Sequence, residues 1–89
     1  MAERTVTIGS RVGLHARPAS LFVQAAASLP VAVKVAKPGG DPVDARSILS
    51  VLALDARGGE EVILLADGEG ADDARDELAA LVARDLDAD

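Results

Sequence analysis

Apolar and polar residues alternate in two parts of the chain, with the two-residue period that is typical of half-buried strands. The first alternating segment covers residues 4–8 and the second covers residues 31–36. Residues 61–66 form a nearly continuous apolar run, which predicts an inner strand of the sheet. The stretch at residues 43–44, Val43 and Asp44, is long enough only for an edge strand.

Three further segments repeat their apolar residues every three or four positions, which predicts helices. The first covers residues 16–28, with Pro18 in its first turn, where a missing N–H costs little. The second covers residues 47–54 and has Ser47 as its N-cap. The third begins at Ala71 and continues close to the end of the chain. The apolar stripes are Ala19, Phe22, Val23, Ala26 and Ala27 in the first helix and Ala74, Leu78, Leu81, Val82 and Leu86 in the third.

The order of these elements is βαββαβα, an α+β pattern in which the helices are expected on one face of a four-stranded sheet. Turn-forming residues separate the elements, as in the run KPGGDP between the second and third strands. The sequence contains neither an internal repeat nor a linker, so residues 1–89 are expected to form a single domain.

Charge and composition exclude several classes of function. Nine basic and fifteen acidic residues give a formal net charge of −6, which opposes binding to nucleic acids and to anionic membranes. The sequence shows no signal-type apolar segment, and no apolar run approaches the length of about 20 residues that a membrane span needs. We therefore expect a soluble, cytoplasmic protein. One histidine and no cysteine are too few ligands for a zinc or copper site, and we expect no metal and no other cofactor.

The single histidine, His15, lies in the run GLHARPA at residues 13–19, immediately before the predicted start of the first helix. A lone histidine is more often an ordinary surface or core residue than a reactive one, but this position favours chemistry. Backbone N–H groups in the first turn of a helix have no helical acceptors, and the helix dipole places about half a positive charge there. A phosphate on His15 would therefore find donors in the backbone N–H groups of Ala16 and Arg17.

The side chains of His15 and Arg17 are of types suited to phosphoryl transfer. An imidazole ordinarily titrates near about pH 6.5, so a neutral ring with a free lone pair is available at cytoplasmic pH. A guanidinium group two residues away can pair with phosphate oxygens and balance their charge. The alternative for Arg17 is an exposed helix charge, but a cation is unfavourable at a helix N-terminus, which favours the phosphate role.

The segment GLHARPAS at residues 13–20 resembles the phosphorylation-site loop of HPr, the histidine-containing phosphocarrier family of the bacterial phosphoenolpyruvate-dependent sugar phosphotransferase system. A second segment, ARSILSV at residues 45–51, is similar to its HPr counterpart, and the element order and chain length agree as well. The resemblance implies an open-faced β-sandwich, in which three helices cover one face of a four-stranded antiparallel sheet.

By the same resemblance, His15 would be phosphorylated on Nδ1 by enzyme I, which uses phosphoenolpyruvate, and would pass the group to a sugar-specific enzyme IIA. Arg17 would steady the phosphate. The protein would be a carrier and not a free-standing enzyme, because its partners complete the transfer site. We expect it to act as a monomer.

Two further features concern regulation and docking. In some bacterial lineages of the family an HPr kinase phosphorylates the serine that matches Ser47, although a serine there is a good N-cap without any kinase. Partners are expected to dock on an apolar surface formed by Leu49 and Leu52, with Phe22 at its edge. The alternative for Phe22 and Leu52 is a place in the core.

Two other functions stay open. One is a regulatory interaction module that keeps the fold and signals through Ser47 without donating phosphate, against which the intact His15 and Arg17 count. The other is a carrier in a paralogous phosphorelay, either nitrogen-related or linked to a dihydroxyacetone kinase. The transported sugar cannot be read from the carrier, because the carrier never touches it.

Overall fold

The computed structural model describes residues 2–11 and 13–84, and in this part of the chain four strands and three helices follow the order βαββαβα. The elements are β1 (Ala2–Thr7), α1 (Ala16–Ala27), β2 (Val33–Ala36), β3 (Val43–Asp44), α2 (Ile48–Ala53), β4 (Glu61–Ala66) and α3 (Ala71–Ala83). All paired strands are antiparallel, and the helices pack against one face of the sheet. The predicted fold class is thereby confirmed.

The strand order β1-β4-β2-β3 puts β4 inside the sheet, hydrogen-bonded to β1 on one side and to β2 on the other. This confirms that the apolar run is an inner strand. Val62 and Leu64 are fully buried in the core, whereas Ile63 and Leu65 on the other face are only partly covered. The run is continuous because apolar residues occupy both faces of β4, although helices cover only one of them.

The ends of two strands differ from the predicted ones. β1 lies earlier in the chain than the predicted residues 4–8, and Ile8 leaves the ladder although it stays buried. β2 starts two residues later than predicted, at Val33, because Val33 pairs with Ala66, the last residue of β4. A strand cannot pair beyond the end of its partner, and this limit is not encoded in its own alternation.

Helix α1 buries a narrow apolar stripe against the sheet. Ala19, Phe22 and Ala26 are fully buried, and Val23 is partly buried. Ala27 is exposed, contrary to its predicted place in the stripe, because it is the last residue of the helix. The helix also contacts the other two helices, α2 and α3.

Helix α3 buries three of the residues predicted for its apolar face, Ala74, Leu78 and Val82, and partly covers Leu81. Leu86, also predicted for this face, lies outside the described residues. Even α3, which has 13 residues, is too short and too polar to cross a membrane, and over the described residues the same holds for the other helices.

Candidate functional site

His15 is the N-cap residue of α1, with an extended backbone (φ −133°, ψ 163°) and a side chain that is 36% exposed. Its carbonyl oxygen accepts the N–H of Ala19 at 3.4 Å at the beginning of the helix. The ring itself makes no capping hydrogen bond. The histidine therefore lies at a helix N-terminus, as predicted, with its ring accessible from outside.

The loop before His15 is fixed by a close approach to the loop between α2 and β4. Gly13 has a φ of +73°, and a Cβ there would lie 2.1 Å from the carbonyl oxygen of Ala56. The N–H of Leu14 donates to that same oxygen at 2.8 Å, and the Leu14 side chain is buried. Only glycine fits both the conformation and the space at position 13, two residues before the histidine.

The same two loops meet at a second point. A Cβ on Gly58 would lie 2.5 Å from the carbonyl oxygen of Ser10, so this approach also requires glycine. The backbone of Ile8 donates one hydrogen bond to the α2–β4 loop at 2.9 Å and accepts one from it at 3.0 Å. These contacts set the position of His15 before any partner binds.

Asp55, which is not among the predicted site residues, reaches His15 from a position forty residues further along the chain. Its Oδ1 lies 3.2 Å from Nε2 of His15, and its Oδ2 accepts a hydrogen bond from Nη2 of Arg57, also at 3.2 Å. The one signal in the sequence was an aspartate directly after the predicted helix 47–54, where glycine or asparagine is usual. Nothing in that signal points to His15.

Positive groups surround Asp55 and keep it ionised. The Arg57 guanidinium, and after it the contact with His15, lower the pKa of Asp55 below its ordinary value. Nζ of Lys37 donates to the backbone carbonyl of Asp55 at 3.5 Å and pairs with Oε1 of Glu60 at 3.7 Å. Because a carboxylate only accepts hydrogen bonds, Nε2 of His15 must be the donor, and the lone pair of the neutral ring then lies on Nδ1.

Arg17 lies in the first turn of α1, two residues after His15, and its side chain is exposed. The structure thus brings both predicted site residues to one helix end. The first turn of α1 contains no acidic residue, so nothing in that turn opposes an anion there. The role of Arg17 toward phosphate stays a prediction, as do the donor roles of the Ala16 and Arg17 backbones.

Helix α2 exposes an apolar surface. Leu49 is 78% exposed and Ile48 is 39% exposed, while Leu52 is partly buried and Val51 is fully buried. Ile48, Leu49 and Leu52 form the α2 patch. The expected place of Leu49 on the surface is confirmed, and Ile48, which was not predicted to belong to this surface, is exposed beside it. Docking at the α2 patch stays a prediction.

Phe22 does not belong to this surface. Its ring is 0% exposed and is among the largest fully buried side chains, so its expected place at the edge of a docking surface is wrong. The alternative, a place in the core, is correct. The reason is that Phe22 shares a face of α1 with Ala19 and Ala26, which are also fully buried.

Ser47 caps α2, as predicted. Its Oγ accepts the N–H of Ser50 at 3.3 Å, and its carbonyl oxygen accepts the N–H of Val51 at 3.0 Å. The residue is partly exposed and directly precedes Ile48 of the α2 patch. Capping explains the serine by itself, and its phosphorylation stays a prediction.

The chain is similar to proteins of one family. Residues 2–84 match PTS-HPr, described as the PTS HPr component phosphorylation site. The phosphocarrier protein HPr of Streptomyces coelicolor is 56% identical over 86 residues, which cover 97% of this chain and 92% of that protein. The HPr-like protein Crh of Bacillus subtilis is 38% identical over 86 residues, which cover 97% of this chain and 100% of Crh. The crystal structure of a phosphocarrier protein HPr from Bacillus anthracis matches with a TM-score of 0.85 at 33% identity, over 91% of this chain and 95% of that chain.

Proposed function

The chain belongs to the HPr family of phosphotransferase-system phosphocarriers, and we propose on this premise that His15 accepts a phosphoryl group from phosphorylated enzyme I and passes it to enzyme IIA proteins. One observation carries the proposal. The chain's single histidine is the N-cap of α1, with a partly exposed ring whose Nε2 is held by Asp55. The nitrogen left to act as nucleophile is Nδ1.

Each transfer exchanges one bond to phosphorus for another. The lone pair of His15 Nδ1 attacks the phosphorus carried by enzyme I, and the electron pair of the breaking bond goes to the leaving group on enzyme I. Donation to enzyme IIA breaks the new bond between Nδ1 and phosphorus and returns its electron pair to the ring. The hydrogen on Nε2 stays in place throughout.

The start of α1 supports the phosphorylated state. Backbone N–H groups of Ala16 and Arg17 donate to the phosphate oxygens, and the Arg17 guanidinium pairs with them. Phosphoryl transfer depends mainly on positioning and charge, which the partners complete when they cover His15. The protein therefore acts as a carrier and not as a free-standing enzyme.

The test is to incubate the chain with phosphoenolpyruvate and enzyme I, followed by intact mass and phosphorus NMR. We expect one acid-labile phosphate on His15, which moves to enzyme IIA when that protein is added. His15→Ala should take up none and should unfold at the wild-type temperature, because the ring is partly exposed and contacts an exposed carboxylate. Phosphate on His15→Ala at the wild-type level, or a large loss of its stability, would contradict the proposal.

The choice of donor identifies the relay. The same assay tests the two paralogous relays when enzyme I of the sugar system is replaced. The replacement is either enzyme I of a nitrogen-related system or the phosphoryl donor of a dihydroxyacetone kinase relay. A role as phosphoryl carrier for sugar uptake also agrees with the cytoplasmic location and the monomeric state that the sequence predicts. Both of these stay predictions.

A regulatory module that signals through Ser47 is the second candidate, supported by the similarity to the HPr-like protein Crh. A phosphate on Ser47 would add charge beside Ile48 and Leu49, and the helix N-terminus would tolerate it. Docking is therefore expected to change more than folding. Incubation with ATP and an HPr kinase, read by intact mass, tests this modification.

A further inference from the structure

Among the described residues, Asp55 is the only residue other than glycine with a positive φ, at 51°. This left-handed conformation is open to glycine without steric cost but is uncommon for residues that carry a Cβ, among which asparagine and aspartate adopt it most readily. Such positions persist where contacts or function require the side chain, and they concentrate at functional sites. The Asp55 side chain is 57% exposed, so burial in the core does not explain it.

Three contacts hold Asp55 in place beside His15. Its Oδ1 accepts from Nε2 of His15 at 3.2 Å, and its Oδ2 accepts from Nη2 of Arg57 at 3.2 Å. Its backbone carbonyl accepts from Nζ of Lys37 at 3.5 Å. The carboxylate is thus anchored through one oxygen and presents the other to the ring, in the way that an orienting carboxylate fixes a functional histidine.

We propose that Asp55 is a positioning residue for phosphoryl transfer at His15, whose carboxylate keeps the ring hydrogen on Nε2 and so keeps the lone pair on Nδ1. This inference rests on the proposed function of His15. When Nδ1 bonds to phosphorus, the ring becomes cationic and the carboxylate faces its positive Nε2–H. The same contact therefore orients the acceptor and stabilises the charged, phosphorylated ring.

Position 55 offers variants that remove the contact without harming the backbone. Asp55→Gly removes the carboxylate and fits the left-handed conformation better than aspartate does. Asp55→Asn keeps the shape and one accepting oxygen but removes the charge, and asparagine also tolerates this conformation. Glu61→Gln is the matched control, because it removes one negative charge from an exposed side chain at the start of β4, directly after the same loop.

The experiment records nitrogen-15 NMR of the neutral His15 ring and the rate of phosphate uptake from enzyme I in all four proteins. In Asp55→Gly the hydrogen should distribute over both ring nitrogens, so that their chemical shifts move toward each other, and uptake should slow about tenfold. Asp55→Asn should show smaller changes in the ring nitrogen shifts and in the uptake rate. Thermal unfolding of Asp55→Gly should occur at the wild-type temperature or above it. Glu61→Gln should match the wild type.

The two measurements separate the possible failures. The ring spectra need no phosphate, so they test the contact between Asp55 and His15 whether or not enzyme I phosphorylates the protein. A wild-type protein that enzyme I does not phosphorylate overturns the proposed function itself. A phosphorylated wild type with the same ring spectra and uptake rate as Asp55→Gly overturns the role of Asp55. Equal losses in Asp55→Gly and Glu61→Gln also overturn it, because they would report the loss of a negative charge in this region and not the loss of the contact.

Discussion

Gly13 and Asp55 approach His15 from two different loops, and both have a left-handed backbone. At Gly13 packing also excludes a side chain, because the carbonyl oxygen of Ala56 occupies the place of a Cβ. At Asp55 the side chain is present despite the conformation, and its contact is with the histidine ring. One residue fixes the backbone that carries the histidine, and the other fixes the ring.

The guanidinium of Arg17 is expected to act on the phosphate and not on the fold. Arg17→Ala should unfold like the wild type, because the side chain is exposed, but should take up phosphate about 10- to 100-fold more slowly. Arg17→Lys should recover part of the rate, since it restores the charge but not the planar pair of donors. Rapid-quench phosphorylation by enzyme I measures both variants. An unchanged rate in Arg17→Ala would remove Arg17 from the mechanism.

His15 and Arg17 could be identified from the sequence because they lie in one short run beside a predicted helix start. Asp55 could not, because its contact spans forty residues and depends on the turn that follows α2. Phe22 was misplaced for a related reason. The spacing of apolar residues in a helix indicates which residues share a face. It does not indicate which other elements cover that face.

Helix α2 has six residues, too few to be stable without support from the rest of the molecule. Val51 anchors it in the core, and Ser47 caps its first turn. The preceding turn is tied by Asp44, whose Oδ1 accepts the backbone N–H of Arg46 at 2.9 Å. With these supports the helix can leave Leu49 exposed and keep its position.

Leu49→Asp should weaken binding of enzyme I by about tenfold or more, because it places a charge in the α2 patch. Its thermal unfolding should not change, since Leu49 is 78% exposed. Ala32→Asp is the matched control, as Ala32 is exposed and lines a cleft with Lys34 and Leu65 on the uncovered face of the sheet. NMR titration with enzyme I measures both. Equal weakening by the two variants, or unfolding of Leu49→Asp, would place docking elsewhere.

The kind and order of the elements could be predicted, because periodicity and turn residues agree along the chain. Their ends could not be predicted to the residue. β2 begins at Val33 only because β4 ends at Ala66, a property of the pair and not of either segment. The exposure of Ile48 likewise depends on what packs beside α2, which a single helix pattern does not contain.

At the scale of the whole molecule, the core is built from aliphatic side chains around one aromatic ring, that of Phe22. Phe22→Ala should lower the free energy of unfolding by about 3–5 kcal/mol. A typical domain has a free energy of unfolding of about 5–15 kcal/mol, so this loss would be a large part of it. Phe22→Leu should cost less than about 1.5 kcal/mol, because leucine keeps most of the volume. Urea unfolding measures both, and a loss below about 1 kcal/mol in Phe22→Ala would contradict the central place of the ring.

The fold class could be predicted because the sheet, its inner strand and its covering helices each leave a pattern in the sequence. The antiparallel pairing came only from the family resemblance, since local patterns do not specify which strands are neighbours. The contact of the two loops beside His15 could not be predicted either. It depends on glycines that look like ordinary turn residues until their neighbours are known.

Helix α2 ends two residues before Asp55, which contacts His15, so the end of α2 lies close to the histidine. Under the proposed function, enzyme I and enzyme IIA both act at His15 and cannot bind there together, so each must leave before the other arrives. The flux of the relay is then limited by the lifetimes of two short encounters as well as by chemistry. Tighter docking would lengthen the lifetime of each complex and lower the phosphoryl flux. A carrier of this design therefore transfers phosphate faster when its affinity for each partner is modest.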